Sequence, residues 1–350
     1  MKILYAVQAT GNGHISRAME LLPFLEQYGT VDVFLSGNNS HLQPALPVKF
    51  RSKGLSLFYG NKGGLDYWKM LKDFSIRRIW NEAHSLPVEY YDIVLNDFDS
   101  ITSLACKLKK VPCVGFGHQA SFRSDATPRA AKKDLAGELV LKNYATATAY
   151  TGLHFAPYDD FIFSPVIKSD VLRAIPVNKG HITVYLSHYS DEVVMQSLQQ
   201  LEGIRFELFS KKVKEPLRCG NITLHPISND GFTNSMIHSA GVITGAGFET
   251  PAEALYLGKK LLCLPIRGQY EQWCNAAALE KLGVRITEKI DVAFATTVAQ
   301  WLDAPAQQQL VLQQNTYEIV QHTIELARSI RTQPASEADW ISEEDFITLQ

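Results

Sequence analysis

Short apolar runs alternate with amphipathic stretches along most of the chain. Residues 2–7 (KILYAV) place hydrophobic side chains on nearly consecutive positions, the pattern of a strand buried on both faces. The Gly11-Asn12-Gly13 turn follows, then a helical pattern over 16–28. Residues 31–35, 92–95 and 111–116 read as further strands, with 101–109 as the helix between the last two. Residues 128–150, rich in Ala, Lys and Leu, predict another helix. Around Pro157, Pro165 and Pro176 the pattern lapses, as expected of a linker. A second series predicts strands over 181–186, 205–209, 221–224, 242–244 and 260–264, and helices near 191–201, 250–257, 270–282 and 293–302. An amphipathic stretch over 306–330 is long enough to return to the first half, and the tail from Thr332 is polar and acidic.

This succession predicts the α/β class: two Rossmann-like domains facing one another, each on a parallel sheet. The expected division is 1–160 for the first domain, 177–305 for the second, and 306–331 for a C-terminal helix packing on the first. In open parallel sheets, ligands bind beyond the carboxyl ends of the strands, so the strand-end loops are where chemistry is sought.

Composition removes several alternatives. With 350 residues, 46% of them hydrophobic, the chain can bury a core without disulfides or a structural metal. The 34 Lys and Arg against 36 Asp and Glu leave a net charge of -2, which argues against a nucleic-acid binder and against disorder. Five scattered cysteines without a C-x-x-C fit a reducing compartment and no zinc site. The N-terminal apolar run is too short for a signal peptide, and no stretch is long enough to span a membrane. A cytoplasmic protein is the expectation, with peripheral membrane contact left open. Residues 67–80 interleave aromatics with Lys69, Lys72, Arg77 and Arg78, suiting a helix that packs on the sheet or meets a membrane carrying a lipid-linked acceptor.

Two loops carry candidate chemistry. In the first, Gly11 and Gly13 permit a tight turn and close ligand approach, and the following helix offers unpaired N–H groups to an anion. The turn is neither a G-x-G-x-x-G fingerprint, since Ser16 interrupts it, nor a Walker phosphate loop. His14, beside a helix N-terminus whose dipole disfavours imidazolium, is a candidate proton acceptor. Arg17, one turn on, is either a ligand contact or a solvated helix residue.

In the second loop, a strand runs into Gly245-Ala246-Gly247, with Pro251 in the first turn of the next helix, so backbone N–H groups face a phosphate. Glu253 offers a carboxylate for two vicinal hydroxyls, as on a ribose, or a helix cap. Gln269, Glu271 and Gln272 combine acceptors and donors suited to sugar hydroxyls.

Three further positions stay open between chemistry and structure. Asp97-Phe98-Asp99 spells D-x-D, a motif that can bind a divalent cation; the reading preferred here is that Asp97 or Asp99 orients His14, with helix capping the alternative. His118, at another strand end, is a candidate acceptor contact.

The stretch 244–276 resembles the donor-binding half of GT-B fold glycosyltransferases: a glycine pair, Thr, Glu three residues on, a strand, then acid-Gln and Asn-Ala. It is similar to the UDP-sugar glycosyltransferases and the N-acetylglucosaminyltransferase of peptidoglycan synthesis, and the likeness spans roughly 1–330. The resemblance implies that Gly245, Ala246 and Gly247 meet a diphosphate, with Thr250 supporting the turn. It further implies that Glu253 binds ribose, Glu271 and Gln272 the transferred sugar, and that Asn275 braces the loop. Ser187 would touch phosphate, the main chain at Ile227 would line the base, and His14 would be the catalytic base of an inverting reaction. Lys259-Lys260 and the extra acid Glu249 depart from the pattern.

The expected activity is metal-independent transfer of a sugar from a nucleoside-diphosphate sugar, a UDP-sugar foremost, to an acceptor hydroxyl, with no cofactor. The acceptor could be a glycan of the cell envelope, a lipid-linked molecule or a small molecule. Rival readings are a sugar-nucleotide hydrolase on the same fold, sharing the Gly-Asn-Gly-His turn, and a non-catalytic sugar-nucleotide sensor.

Overall fold

Strand β1 (Lys2–Gln8) is buried from its second residue on, which is why its sequence is apolar without alternation. The computed structural model describes residues 1–9, 12–37, 46–54 and 75–332, so Gly11 and most of the 67–80 stretch lie outside the described residues. These residues fall into two units: Met1–Thr127, Asp134–Val166 and the chain from Gln313 onward form the first, Pro128–Lys133 and Ile167–Leu312 the second.

In the first unit, β1 is joined by β2 (Thr30–Ser36), β3 (Val48–Ser52), β4 (Ile93–Asp97), β5 (Val114–Gly117), β6 (Ala149–Leu153) and β7 (Ile162–Phe163). The order is β3-β2-β1-β4-β5-β6-β7, with every pair parallel. The chain therefore winds outward one way from β1 and the other way from β4. That reversal leaves a crevice beyond the carboxyl ends of β1 and β4. Helix α1 (Asn12–Leu25) leaves β1 there, and α2 (Ile76–Ser85) and α3 (Ser100–Lys109) cover one face through Ile79, Ala83, Ile101 and Ala105.

The second unit repeats the plan with β8 (His181–Tyr185), β9 (Arg205–Ser210), β10 (Leu217–Cys219), β11 (Ile222–Pro226), β12 (Gly241–Thr244), β13 (Lys260–Cys263) and β14 (Arg285–Ile286). Its order is β10-β11-β9-β8-β12-β13-β14, and only the β10–β11 pair is antiparallel. Its reversal lies between β8 and β12. The core gathers Ile182, Val184, Leu208, Ile243, Leu262 and Trp301.

Four local differences from the sequence pattern have physical causes. α1 starts at Asn12, so Gly13 and His14 belong to the first helical turn. The region 128–150 holds only a short helix, α4 (Leu135–Asn143), before β6 begins. β6 is held by tertiary contact: the Tyr150 ring lies over Gly115, where a Cβ would come within 2.7 Å of the ring. α7 (Asn229–His238), the helix between β11 and β12, lacks an apolar period and is started by the Ser228 hydroxyl, which accepts from the Gly231 N–H at 3.1 Å. The final helix, α11 (Thr316–Thr332), begins well after Ala306 and packs on α1, β4, β5 and β6. Residues 307–310 are instead tied to the second unit, the Gln307 side chain accepting from the Leu261 N–H at 3.1 Å and the Leu310 N–H donating to the Leu255 carbonyl.

Among the described residues no helix is long and apolar enough to cross a membrane. Gly152 in β6 lies against the Ser121 backbone, and a Cβ there would approach Ser121 Cα to 2.8 Å. Gly152→Ala should lower stability by about 1–3 kcal/mol through overpacking, measurable as a lower urea midpoint with an unchanged slope.

Candidate active site

The crevice of the first unit is built by three strand ends. Val7 of β1 pairs with Asp97, the last residue of β4, and Gly117 ends the next strand, β5. Because α1 starts immediately beyond β1, His14 and Arg17 stand at i and i+3 on one helix face. Both side chains reach Asp97.

Asp97 is completely buried and Arg17 is 3% exposed. The Arg17 Nη2 group donates to both carboxylate oxygens of Asp97 at 2.8 Å, and Nε reaches Oδ2 at 3.3 Å. His14 Nδ1 lies 2.8 Å from Asp97 Oδ1 and 3.0 Å from Arg17 Nη2. In the tautomer with the proton on Nδ1, the ring donates to Asp97 Oδ1 and Nε2 carries the acceptor lone pair. The Gln119 amide nitrogen sits 3.4 Å from that Nε2. Burial pushes the Asp97 carboxyl up, but the Arg17 charge and the hydrogen bonds from Arg17 and His14 outweigh it and hold the carboxyl below the usual range. The fully buried Tyr5 hydroxyl beside them is driven well above its ordinary value, first by burial and then by the Asp97 charge, and stays protonated.

Two backbone features make room for this cluster. Gly117 has φ +145, and a Cβ there would fall 2.7 Å from Asp97 Oδ1 and 3.2 Å from Arg17 Nη2. Phe98 adopts φ 57, a left-handed conformation rare for an aromatic residue, directly after Asp97. The kink separates two acids that the D-x-D spelling groups together. Asp99 turns away to cap α3, accepting the Thr102 N–H at 2.6 Å, and is completely buried. Asp97 alone meets His14. Among the described residues no cluster of His, Cys, Asp and Glu is arranged to hold a metal ion.

Other sequence candidates take different places. Arg17 is buried, with Nε and Nη2 of its guanidinium on Asp97. His118 is 1% exposed, with Nδ1 3.0 Å from the Leu153 carbonyl and its ring packed against Phe122 and His154, so it is a core residue. The next residue, Gln119, reaches His14 instead; the strand-end position was readable, but which neighbour points inward was not.

In the second unit, Gly245-Ala246-Gly247 follows β12, and Ser187 is exposed just beyond β8, both at the reversal of that sheet. Helix α8 (Glu249–Tyr256) starts from this loop, with Thr250 in its first turn. Asn275, fully buried on α9 (Tyr270–Lys281), donates to the Ala246 carbonyl at 3.2 Å and so fixes the loop from beneath. Gln272, also on α9, accepts from the Ile266 N–H at 2.9 Å and lies beside Gly245; Glu271 is half-buried in the same first turn. A Cβ on Gly247 would meet nothing within 4 Å, so no packing contact demands glycine there. Ile227, 39% exposed, follows β11.

Glu253 does not present the open carboxylate expected for a ribose. It is 1% exposed, and Lys168 Nζ stands 3.3 Å from Oε1 and 3.4 Å from Oε2. Its position on the buried side of α8 turns it into the unit. Lys168 carried no sequence signal, because it comes from the irregular segment between the two series of strands.

Two mostly parallel sheets, each with its loops gathered at a winding reversal, define the architecture of GT-B glycosyltransferases. Solved structures of similar fold include Arabidopsis thaliana UGT89C1 complexed with UDP, with TM-score 0.58, 13% identity and 97% of both chains covered. The spinosyn forosaminyltransferase SpnP superposes with TM-score 0.57 at 14% identity, over 93% of this chain and 99% of that one. An uncharacterized glycosyltransferase of Methanosarcina mazei is 25% identical over 251 residues, 63% of this chain, and the match spans 62% of that relative's length. The model of the family described as Glycosyl transferase family 1 matches residues 1–304, and the chain belongs to that family.

Replacing Asp97 by Ala leaves the buried Arg17 charge uncompensated and should cost about 3–5 kcal/mol, read from denaturant unfolding at neutral pH. A carboxyl whose folded pKa is depressed stabilises the protein above its unfolded pKa and loses that contribution as pH falls through the folded value. The stability gap between wild type and Asp97→Ala should therefore narrow as the medium is acidified below about pH 4.

Proposed function

We propose that this protein transfers a sugar from a nucleoside-diphosphate sugar, a UDP-sugar, to an acceptor hydroxyl, with inversion at the anomeric carbon and without a metal ion. The observation that carries the reading is the 2.8 Å contact between His14 Nδ1 and the buried Asp97 carboxylate at the crevice of the first sheet. With Nδ1 donating to Asp97, Nε2 is positioned to take the proton of an acceptor hydroxyl as its oxygen attacks the anomeric carbon. The bond from that carbon to the diphosphate breaks, and the nucleoside diphosphate leaves with the electron pair.

The second unit is the donor site in this reading. Backbone N–H groups of Gly245–Gly247 and the N-terminus of α8 receive the diphosphate charge, Ser187 adds a hydroxyl, and the Ile227 main chain faces the base. Thr250 supports the turn, and Gln272 with Glu271 meets the sugar hydroxyls. The UDP in the structure of the Arabidopsis relative supports the choice of base. The acceptor is a glycan, a lipid-linked molecule or a small molecule bearing a nucleophilic hydroxyl.

Thermal-shift measurements with UDP, other nucleoside diphosphates and their sugars, with and without Mg²⁺, test the donor site. UDP should raise Tm equally with or without the metal, by an amount that grows with the logarithm of its concentration over Kd. Gly247→Ala should keep the Tm of the free protein and lose the UDP shift, because its methyl meets ligand rather than protein. His14→Ala should keep the UDP shift and lose about 10²–10⁴-fold in transfer. If no nucleotide changes Tm, the donor site is wrong. If UDP-sugar is consumed at one rate with and without any acceptor, the protein is a hydrolase, and binding without turnover in either condition marks a sensor.

A further inference from the structure

His14 stands next to a carboxylate and a guanidinium at once, and the balance between them decides its charge. A carboxylate alone within hydrogen-bond distance favours imidazolium, since each new proton on the ring would be met by a full negative charge. A protonated ring cannot accept a proton from a hydroxyl. In this molecule the negative charge of Asp97 is already matched: Arg17 reaches both of its oxygens at 2.8 Å, inside a site where Asp97 is 0% and Arg17 3% exposed. The same Nη2 atom lies 3.0 Å from His14 Nδ1, closer to the ring than solvent screening can reach.

We propose that Arg17 is a positioning residue that keeps His14 neutral at neutral pH by holding the charge of Asp97, so that Asp97 orients the ring without turning it into a cation. The inference rests on the reading of His14 as the base, and it adds what makes that base usable.

The groups described around the ring come from four elements. Asp97 ends β4, and Arg17 shares α1 with His14. Gln119, uncharged, approaches from the turn after β5 at 3.4 Å, and Tyr5 on β1 stays protonated beside the pair. With His14 neutral, the triad of Arg17, Asp97 and His14 carries no net charge. Adding a proton to the ring gives a buried net positive charge. With Arg17 removed, adding the same proton produces a neutral ion pair, so the ring protonates at higher pH. Steric evidence agrees that the pair is a built feature: Gly117, at φ +145, leaves the space that Asp97 Oδ1 and Arg17 Nη2 occupy.

The test is an NMR titration of the imidazole of His14 in the full chain, assigned among the ten histidines by its absence in His14→Gln. In Arg17→Met the His14 midpoint should rise by about one unit or more. In the double variant Arg17→Met/Asp97→Asn it should fall back toward or below the wild-type midpoint, and Arg17→Lys should lie between wild type and Arg17→Met. Transfer activity should follow, with the acid limb of kcat displaced upward in Arg17→Met and activity recovering at alkaline pH.

A His14 midpoint that is unchanged or lowered in Arg17→Met overturns the proposal. So does a loss of kcat by the same factor at every pH, which marks a purely structural role, or a raised KM with an unmoved pH profile, which marks a substrate contact. Should Arg17→Met fail to fold, Arg17→Lys and the charge-free double variant still compare a retained with a deleted pair. The assignment of His14 as base fails separately: His14→Ala would then keep transfer, whatever the titration shows.

Discussion

The buried ion pair between Arg17 and Asp97 is the constraint around which the first unit is organised. Two charges withdrawn from water are tolerated only when geometry and hydrogen bonding are nearly complete, so every neighbour must conform. β5 ends in a glycine at the point where a methyl would strike the pair. The chain after β4 takes a left-handed turn at Phe98, which sends Asp97 into the crevice and Asp99 into the cap of α3. α1 begins early enough to bring His14 and Arg17 to the carboxylate together. A buried pair of this kind contributes little net stability compared with apolar packing; what it provides is a fixed orientation for an imidazole.

The two sheets use their winding reversals in different ways. Beyond β1 and β4, the first sheet concentrates ionisable side chains and holds the His14 imidazole against Asp97. Beyond β8 and β12, the second presents main chain: a glycine loop, a helix start, and Asn275 bonded to the Ala246 carbonyl to keep the loop in one shape. Proton transfer requires a titratable group with a fixed partner, whereas a diphosphate is well matched by N–H groups that carry no countercharge of their own. The buried Glu253 of the second unit is neutralised internally by Lys168.

Much of this was legible in the chain. The alternation of apolar runs and helical patterns located most strands within a few residues, because β1, β4 and β12 are buried on both faces and carry short apolar runs. Glycine turns marked both strand-end loops, and His14 stood out by its place after one of them. The misses share a cause. β6 was hidden in a segment with helical composition because it is stabilised by Tyr150 lying over Gly115, two residues 35 positions apart. His118 and Gln119 are adjacent, and only the turn after β5 decides which faces the crevice. Arg17 stayed open between a ligand contact and a solvated helix residue because its partner is 80 positions away.

The sequence by itself determined the α/β class, the family and the two strand-end loops, and singled out His14 as a candidate, since periodicity, glycine turns and motif spacing are local properties. Only the tertiary structure decided which acid orients His14, that Arg17 neutralises that acid, and that Glu253 is closed off by Lys168. Those outcomes depend on burial and on distances of about 3 Å between residues far apart in the chain, where the loss of water makes a single charge decisive.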